Sequence, residues 1–297
     1  MTKIAIIGLG AMGGGMARSC LAAGLEVHGF DRDADRTAAF RAAGGAEGTL
    51  DAIAAGIDIL VIVVVNAAQV EEALFGPEGV AARLRKGAVV VSCVTMAPDR
   101  AREFAERAGA LGLHYLDAPI SGGAVKAAAG ALSILASGSD AAFRTARPAL
   151  DAMAETVFEL GEESGAGSAM KAINQMLVGV HIAAAAEALT FGMTQGVAPQ
   201  KTLEVIAKCA GSSWALQNRG PHIAAGDYTP LSAVDIWLKD LGIVLDIASR
   251  AKFSAPLTAA TLQQFVAASG SGLGGEDDSA VAKVYARNAG LTLPGDS

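Results

Sequence analysis

Short apolar runs alternate with helix-like segments through the first half of the chain. The runs are rich in Ile, Val and Leu, and they are Ile4–Ile7, Glu26–Phe30, Ile59–Val65, Ala88–Val91, Tyr115–Ile120, Leu132–Ala136 and Thr156–Leu160. Strands separated by helices are typical of a mainly parallel sheet, because each parallel connection needs a helix-length crossover. The first half of the chain therefore predicts an α/β domain.

The pattern changes near residue 164. Strand-like runs become rare, and Ala- and Leu-rich helical segments follow, of which the longest extends from Ser168 to about Gln195 and is apolar almost all round. A helix that is apolar on every face is buried inside a protein, between domains or between subunits. We therefore expect an α/β domain over residues 1–163 and an all-α domain over residues 164–297 that begins with a long interdomain helix.

Composition narrows the classes of function. The 297 residues include 23 Lys and Arg against 30 Asp and Glu, and the resulting net charge of −7 argues against nucleic acid or an anionic membrane as a partner. The cysteines are far apart and the histidines show no metal-ligand spacing, so we expect neither disulfides nor a metal site. No secretory signal precedes the first apolar run. We expect a cytoplasmic protein with a small-molecule partner.

A glycine-rich turn directly follows the first apolar run. Its sequence, Gly8-Leu9-Gly10-Ala11-Met12-Gly13, fits the G-x-G-x-x-G pattern, in which glycines let a pyrophosphate approach a helix N-terminus closely. The alternative is a tight turn without a ligand. The ligand is favoured because the second run ends near Asp31, 18 residues after Gly13, where an acidic side chain accepts hydrogen bonds from the adenosine ribose. The turn and Asp31 together predict a Rossmann-like dinucleotide-binding domain.

Asp31 also bears on which dinucleotide binds. Its carboxylate would repel the 2′-phosphate of NADP, so NAD is the predicted cofactor. The guanidinium of Arg32 keeps NADP as an alternative, because it would bind that phosphate if Asp31 turned aside.

Three later motifs add to the glycine-rich turn. They are Asp117-Ala118-Pro119-Ile120-Ser121-Gly122-Gly123, Gly165-Ala166-Gly167-Ser168-Ala169-Met170-Lys171-Ala172-Ile173-Asn174 and Lys239-Asp240-Leu241. The ordered set resembles the signatures of the β-hydroxyacid dehydrogenases, a family that includes 3-hydroxyisobutyrate, tartronate semialdehyde and threonate dehydrogenases. The resemblance implies oxidation of a small hydroxy acid by hydride transfer to a nicotinamide cofactor, with the substrate between the two domains. It also implies a homodimer or homotetramer.

The first of these motifs ends in a turn suited to an anion. Successive N–H groups of Gly122 and Gly123, with the hydroxyl of Ser121 as an extra donor, can converge on one carboxylate. The alternative is a plain turn after Pro119. The resemblance implies that Ser121, Gly122 and Gly123 bind the substrate carboxylate.

Lys171 and Asn174 are three residues apart and therefore share one face of the long helix. A lone helix lysine is most often solvated, but the neighbours of this one are apolar. The resemblance makes Lys171 the general acid or base and Asn174 the residue that orients the reacting hydroxyl. A free lysine has a pKa of about 10.4, which is high for base catalysis near neutrality, so we expect desolvation or a nearby cation such as Lys239 to lower it.

Four further residues are assigned by the resemblance. Asn66 and Thr95 follow the third and fourth apolar runs and are expected to contact the cofactor. Lys239 is expected to reach the cofactor, and Asp240 to position groups around the substrate. The alternative for the last two is a solvated charge pair on a helix face.

Lys126 is the residue that bears on substrate choice. It follows the Ser-Gly-Gly turn in the segment Gly122-Gly123-Ala124-Val125-Lys126-Ala127, which resembles the L-threonate dehydrogenase branch, and it would contact an additional polar group of the substrate. In the alternative, Lys126 faces water. We therefore expect NAD-dependent oxidation of L-threonate to 2-dehydro-L-erythronate. The other candidates are 3-hydroxyisobutyrate dehydrogenase, glyoxylate or tartronate semialdehyde reductase, and a noncatalytic nicotinamide-binding scaffold or sensor.

Overall fold

A computed structural model describes residues 2–295 of the chain. The polypeptide forms two compact units, and the boundary between them lies between Lys171 and Ala172. The first unit combines strands and helices, and the second is helical. The α/β and all-α classes predicted from the sequence are both confirmed.

A five-stranded parallel sheet forms the centre of the first unit. Its strands are β1 (Lys3–Ile7), β2 (Glu26–Phe30), β3 (Ile59–Ile62), β4 (Val89–Ser92) and β5 (His114–Asp117). They pair in the order β2-β1-β3-β4-β5. Every residue of β3 and β4 is buried, as expected for parallel strands that are covered on both faces. The reversal of strand order next to β1 creates the crevice in which such sheets bind ligands.

A second, three-stranded sheet accounts for the remaining strand-like runs. It contains β6 (Ile120–Ser121), β7 (Leu132–Ala136) and β8 (Ala154–Glu159), with β6 antiparallel to β7 and β7 parallel to β8. The sequence predicts one strand over Tyr115–Ile120, whereas the structure divides it at Ala118 and Pro119. Pro119 has no N–H to donate to a sheet ladder, so β5 ends and the chain crosses to the second sheet.

Within residues 2–295, seven α-helices precede the long helix of the chain. They are α1 (Ala11–Ala22), α2 (Ala34–Ala42), α3 (Leu50–Ile53), α4 (Ala67–Phe75), α5 (Pro98–Ala110), α6 (Gly123–Ala128) and α7 (Asp140–Met153). Helix α1 packs closely against α6, because a Cβ at Gly15 would lie 2.8 Å from the backbone nitrogen of Ala128. The hydroxyl of Ser19 on α1 also donates to the carbonyl of Ala127, at 2.9 Å. These contacts tie the helix after the Ser-Gly-Gly turn to the helix after the first glycine-rich turn.

The second unit consists of helices. Helix α8 (Ala166–Thr194) begins in the first unit, and α9 (Pro199–Ile206), α10 (Trp214–Ala225), α11 (Val234–Arg250), α12 (Pro256–Ala268) and α13 (Val281–Asn288) follow. Sequence patterns predict helices over Pro199–Ala210, Leu231–Ala251, Pro256–Ala268 and Ser279–Asn288, but none over α10, which contains the helix-breaking pair Gly220-Pro221. Gly220 packs against the side chain of Leu203 on α9, which would have to shift to admit a Cβ there.

Helix α8 is less buried than its apolar sequence predicts. Ile173, Leu177 and Phe191 are 53%, 51% and 65% exposed although the helix is apolar on all faces. The helix has 29 residues and, by length and composition alone, is long and apolar enough to cross a membrane. Core helices of soluble proteins also pass this test.

Candidate functional site

The glycine-rich turn joins β1 to α1 in the way that the sequence predicts. Gly8 has φ of +96°, and a Cβ at this position would collide with the carbonyl oxygen of Val63. A Cβ at Gly13 would in turn collide with the carbonyl oxygen of Gly8. Both positions therefore accept only glycine, and the turn brings bare backbone to the N-terminus of α1.

The N-terminus of α1 is suited to a pyrophosphate. Gly10 is its N-cap and supplies no side-chain oxygen. The first N–H groups of a helix have no partner within the helix, so those of Ala11, Met12 and Gly13 remain donors for an anion. A Cβ at Gly10 would meet only the guanidinium of Arg36, at 3.6 Å, so a ligand can approach here. These residues fit the diphosphate of a dinucleotide.

Asp31 lies directly beside the glycine-rich turn. Its Oδ2 accepts a hydrogen bond from the N–H of Leu9 at 2.6 Å, and its Oδ1 accepts one from the N–H of Asp33 at 2.9 Å. Partial burial favours the neutral carboxyl, but these bonds and the charge of Arg36 prevail, and the pKa of Asp31 lies below its ordinary value. Asp31 is therefore an anion at neutral pH.

Asp31 also has a cationic neighbour that the sequence does not single out. Within residues 2–295, Arg36 forms the ion pair with Asp31, at 3.7 Å, and also pairs with Asp33 at 3.2 Å. Arg32 is exposed. Arg36 lies on α2, which begins three residues after Asp31, and so its side chain turns back toward the glycine-rich turn.

Asn66 and Thr95 both follow strands at the carboxyl edge of the large sheet. Asn66 is the N-cap of α4, where its Oδ1 accepts the N–H of Gln69 at 3.0 Å. Thr95 is half-buried in the segment between β4 and α5. The turn after β1 leaves the same edge, since all five strands are parallel.

The Ser121-Gly122-Gly123 turn also depends on its glycines. Gly122 and Gly123 both have positive φ, +137° and +76°, a combination that favours glycine. A Cβ at Gly122 would lie 3.0 Å from the alkyl carbons of Lys126, so the stem of Lys126 covers the turn. The ammonium of Lys126 lies 3.6 Å from Glu155 and is about half exposed.

The start of α8 is fixed by the buried carboxylate of Asp117. Its Oδ2 accepts the N–H groups of Gly165 at 2.9 Å and Ser168 at 2.8 Å, and its Oδ1 accepts the hydroxyl of Ser168 at 2.7 Å. The hydroxyl of Ser137 accepts the N–H of Gly167 at 3.0 Å. Burial raises the pKa of Asp117, and the hydrogen bonds of Ser168 and Gly165 offset part of that rise. Lys171 follows one turn later and is only 8% exposed.

A second polar cluster lies in the helical unit. The Nδ2 of Asn174 donates to the Oε1 of Gln175 at 3.0 Å, and the Nε2 of Gln175 donates to the Oδ2 of Asp240 at 2.6 Å. The ammonium of Lys239 lies 2.9 Å from the Oδ1 of Asp240. We call Asn174, Gln175, Asp240 and Lys239 the amide relay. It joins three predicted site residues through Gln175, which was not predicted.

Comparisons with known proteins cover nearly the whole chain. The NAD-binding domain of 6-phosphogluconate dehydrogenase matches residues 3–161, and the NAD-binding domain of NADP-dependent 3-hydroxyisobutyrate dehydrogenase matches residues 165–285. The L-threonate dehydrogenase of Cupriavidus necator is 48% identical over 99% of this chain and 98% of its own length. The L-threonate dehydrogenase of Escherichia coli O6:H1 is 46% identical over 98% of this chain and 96% of its own length. The chain belongs to the β-hydroxyacid dehydrogenase family.

A solved structure agrees with this assignment. The crystal structure of a 3-hydroxyisobutyrate dehydrogenase from Salmonella typhimurium has a TM-score of 0.89 to this chain, with 47% identity, and the match covers 96% of this chain and 100% of that one. This β-hydroxyacid dehydrogenase is therefore an NAD(P)-binding oxidoreductase that acts on the CH–OH group of a small hydroxy acid.

Three residues of the candidate site are not predicted from the sequence: Arg36, Asp117 and Gln175. Asp117 opens a recognised motif, but the pattern does not show that its carboxylate caps a helix 48 residues away. Gln175 is an amide within an apolar helix stretch and directly follows Asn174, a signal that was available. Nothing in the local sequence distinguishes Arg36 from Arg32.

Proposed function

We propose that the protein oxidises L-threonate at C2 to 2-dehydro-L-erythronate with NAD, and that Lys171 is the general acid/base. The observation that carries the reaction type is the buried Lys171, one turn after the helix start that Asp117 fixes. The substrate is supported by the relatives named L-threonate dehydrogenase, which are 46–48% identical over nearly full length.

The chain supplies binding, orientation and proton transfer. A bound nicotinamide would supply the acceptor for the hydride that leaves C2. Lys171 takes the hydroxyl proton during oxidation and returns it during reduction, which is the work of a positioned acid/base. Ser121 and the N–H groups of Gly122 and Gly123 bind the carboxylate, and Asn174 orients the hydroxylated carbons.

The cofactor assignment rests on the groups around the first turn. Gly8, Gly10, Ala11, Met12 and Gly13 would hold the diphosphate of the dinucleotide. Asp31 would accept the ribose hydroxyls, and its negative charge disfavours a 2′-phosphate, which supports NAD.

Three more residues complete the proposed cofactor contacts. Asn66 and Thr95 would contact it at the strand ends, and Lys239 would contact it from α11. Arg36 keeps NADP as a second choice, because a guanidinium beside Asp31 suits a phosphate and would compensate its charge. Arg32 is exposed, as Arg36 is, and remains a further cation that would bind the same phosphate.

The test is a set of initial rates with NAD and NADP over L-threonate, D-threonate, D-erythronate, 3-hydroxyisobutyrate, D-glycerate and L-serine at one pH. We expect the highest kcat/KM for L-threonate with NAD. Equal or better use of 3-hydroxyisobutyrate would overturn the substrate and keep the mechanism. Absence of turnover with every acid, in protein that binds NAD, would overturn the proposed function.

The second candidate is a 3-hydroxyisobutyrate dehydrogenase. It is favoured by the Salmonella structure of that name, which is 47% identical to this chain. A methyl-bearing substrate offers no group to the ammonium of Lys126, so the two candidates differ in their dependence on that residue. Glyoxylate and tartronate semialdehyde reduction are tested with NADH in the same assay.

We also propose a homodimer or homotetramer in which a second copy covers the exposed apolar residues of α8. Ile173, Leu177 and Phe191 would be buried by such an interface, as the apolar character of the helix requires. Light scattering after size exclusion tests it, and a monomer at micromolar concentration would contradict it. The three free cysteines support a cytoplasmic location.

The functional division at residues 163 and 164 is likewise a proposal. It is supported by the family matches, which end at residue 161 and resume at residue 165. The boundary between the compact units falls eight residues later, inside α8, so the helix belongs structurally to both.

A further inference from the structure

The amide relay has a direction that one of its members imposes. A carboxylate carries acceptor oxygens only, whereas an amide has an acceptor oxygen on one side and donors on the other. Asp240 is 3% exposed and Gln175 is 7% exposed, so water does not compete for their hydrogen bonds. The hydrogen bond between Gln175 and Asp240 is therefore made out of contact with bulk water.

Asp240 leaves Gln175 only one orientation. The Oδ1 of Asp240 is engaged by the ammonium of Lys239 at 2.9 Å, and its Oδ2 lies 2.6 Å from the amide of Gln175. If the amide of Gln175 were reversed, two oxygens would face each other across that distance, which is strongly unfavourable. The Nε2 of Gln175 therefore points to Asp240, and its Oε1 points away.

The orientation of the Gln175 amide in turn fixes the orientation of the Asn174 amide. Because the Oε1 of Gln175 can only accept, the Nδ2 of Asn174 donates to it, at 3.0 Å. The Oδ1 of Asn174 lies on the opposite side of the same amide plane. Asn174 therefore presents its acceptor oxygen Oδ1 on the side turned away from the relay, and one of the two hydrogens on its Nδ2 is already used by Gln175.

An acceptor at Asn174 restricts the group that it can bind. The reacting hydroxyl has one proton, and in the proposed function that proton goes to Lys171. It cannot also be donated to Asn174. The oxygen of Asn174 therefore needs a second O–H on the substrate, and in a 2,3-dihydroxy acid the neighbouring C3 hydroxyl supplies one.

We propose that Asp240, acting through Gln175, fixes Asn174 as an acceptor for a second substrate hydroxyl, and so selects 2-hydroxy acids that carry a C3 hydroxyl over those that lack it. Gln175 is then a positioning residue that determines specificity. This inference rests on the proposed function, since it needs Lys171 as the base and a hydroxy acid as the substrate.

The test compares L-threonate with 2,4-dihydroxybutyrate of the same configuration at C2, which lacks only the C3 hydroxyl. We expect the native enzyme to favour L-threonate in kcat/KM by about tenfold or more, the effect of leaving one acceptor unsatisfied. In Gln175→Met, which keeps the bulk and removes both polar ends, this ratio falls toward one. The control Gln263→Met, an exposed residue of α12, leaves the ratio unchanged.

A pair of substitutions distinguishes the effect of hydrogen-bond direction on the substrate ratio from the effect of side-chain packing. Gln175→Glu alone places two carboxylates against each other and lowers the ratio together with the stability. Adding Asp240→Asn restores the direction, because the amide introduced on α11 would donate to the carboxylate introduced on α8, whose other oxygen still accepts from Asn174. The double variant recovers the substrate ratio, although neither single variant retains it.

The outcomes are distinguishable. If no hydroxy acid is turned over, the proposed function itself fails, and the inference fails with it. If both acids are oxidised equally by the native enzyme, or if Gln175→Met lowers both rates by the same factor, the reaction stands and the relay has only a structural role. A fall in the ratio that the paired exchange reverses supports the inference.

Discussion

Ser168 donates two hydrogen bonds to Asp117, one from its backbone N–H at 2.8 Å and one from its hydroxyl at 2.7 Å. The two residues are 51 positions apart, so these bonds fasten the first turn of α8 to the end of β5. A Cβ at Gly167, next to Ser168, would lie 2.6 Å from the carbonyl oxygen of Asp117. The backbone at the start of the helix is thus held directly against the sheet.

Removal of this carboxylate weakens both folding and catalysis. In Asp117→Ala, the N–H groups of Gly165 and Ser168 lose their acceptor, and each unsatisfied buried group costs about 1–3 kcal/mol. We expect a lower free energy of unfolding in urea and a lower kcat, since the first turn before Lys171 loosens. Asp140→Ala, in the exposed first turn of α7, is the control. Equal stability of the two variants would contradict the role of Asp117.

Replacement of Lys171 removes the acid/base. Lys171→Met keeps the length of the buried side chain and abolishes proton transfer, and we expect kcat to fall by a factor of about 10² to 10⁴. Circular dichroism and NAD binding should remain native. Lys208→Met, at an exposed position, serves as the control. Near-native turnover by Lys171→Met would remove this residue from the mechanism.

Asp31 and Arg36 set the choice between NAD and NADP in opposite senses. Two like charges about 4 Å apart repel by about 4 kcal/mol at an effective dielectric constant of 20, so Asp31→Ser is expected to shift the ratio of kcat/KM toward NADP by at least about tenfold. Arg36→Ala is expected to reduce any residual use of NADP. The selectivity is measured by initial rates with both cofactors, and an unchanged ratio in Asp31→Ser would argue against ribose recognition there.

The same carboxylate predicts a pH dependence of stability. The pKa of Asp31 is lower in the folded protein than its ordinary value of 3.8, so the ionised group stabilises the fold above that value and its contribution is lost as the pH falls through the folded-state pKa. Asp31→Asn is expected to be less stable than the native protein at pH 7, with the difference shrinking below about pH 4. Urea unfolding of the cofactor-free protein across this range measures it, beside Asp246→Asn on the exposed side of α11.

Lys126 and Glu155 provide a test of substrate choice. Lys126→Ala is expected to raise KM for L-threonate more than for 3-hydroxyisobutyrate, because only the first offers extra hydroxyls to the ammonium. Glu155→Gln frees the ammonium from its partner at 3.6 Å and is expected to change KM in the opposite direction by a small factor, as befits an exposed ion pair. Equal effects of Lys126→Ala on the KM of both acids would contradict a role of Lys126 in distinguishing the two substrates.

The features that are predictable from the sequence are local or periodic. The alternation of apolar runs with helices is enough for the parallel sheet. The spacing from Gly13 to Asp31 is enough to bring that carboxylate beside the glycine-rich turn, where it accepts the 2.6 Å bond from Leu9. Helix α10 is not predicted, because Gly220 and Pro221 both disfavour the interior of a helix, whereas the contact of Gly220 with Leu203 is a tertiary one.

The missed site residues have the same cause. The bonds from Ser168 to Asp117 and from Gln175 to Asp240 join positions 51 and 65 residues apart, and no local pattern encodes such a meeting. Arg36 is an exception, since it is only five residues from Asp31 and pairs with it because α2 begins directly after the strand end.

Because α8 is one continuous helix, insertions and deletions within it would change the relative positions of the residues before and after them. One inserted residue turns everything that follows it in a helix by about 100° and advances it by about 1.5 Å. An insertion or deletion between Lys171 and Asn174 would therefore place the two on different faces, and one between Ser168 and Lys171 would turn the lysine away from the cap at Asp117. This stretch can accept replacements of side chains, but its length cannot change, whereas the surface loops between helices are open to changes of length.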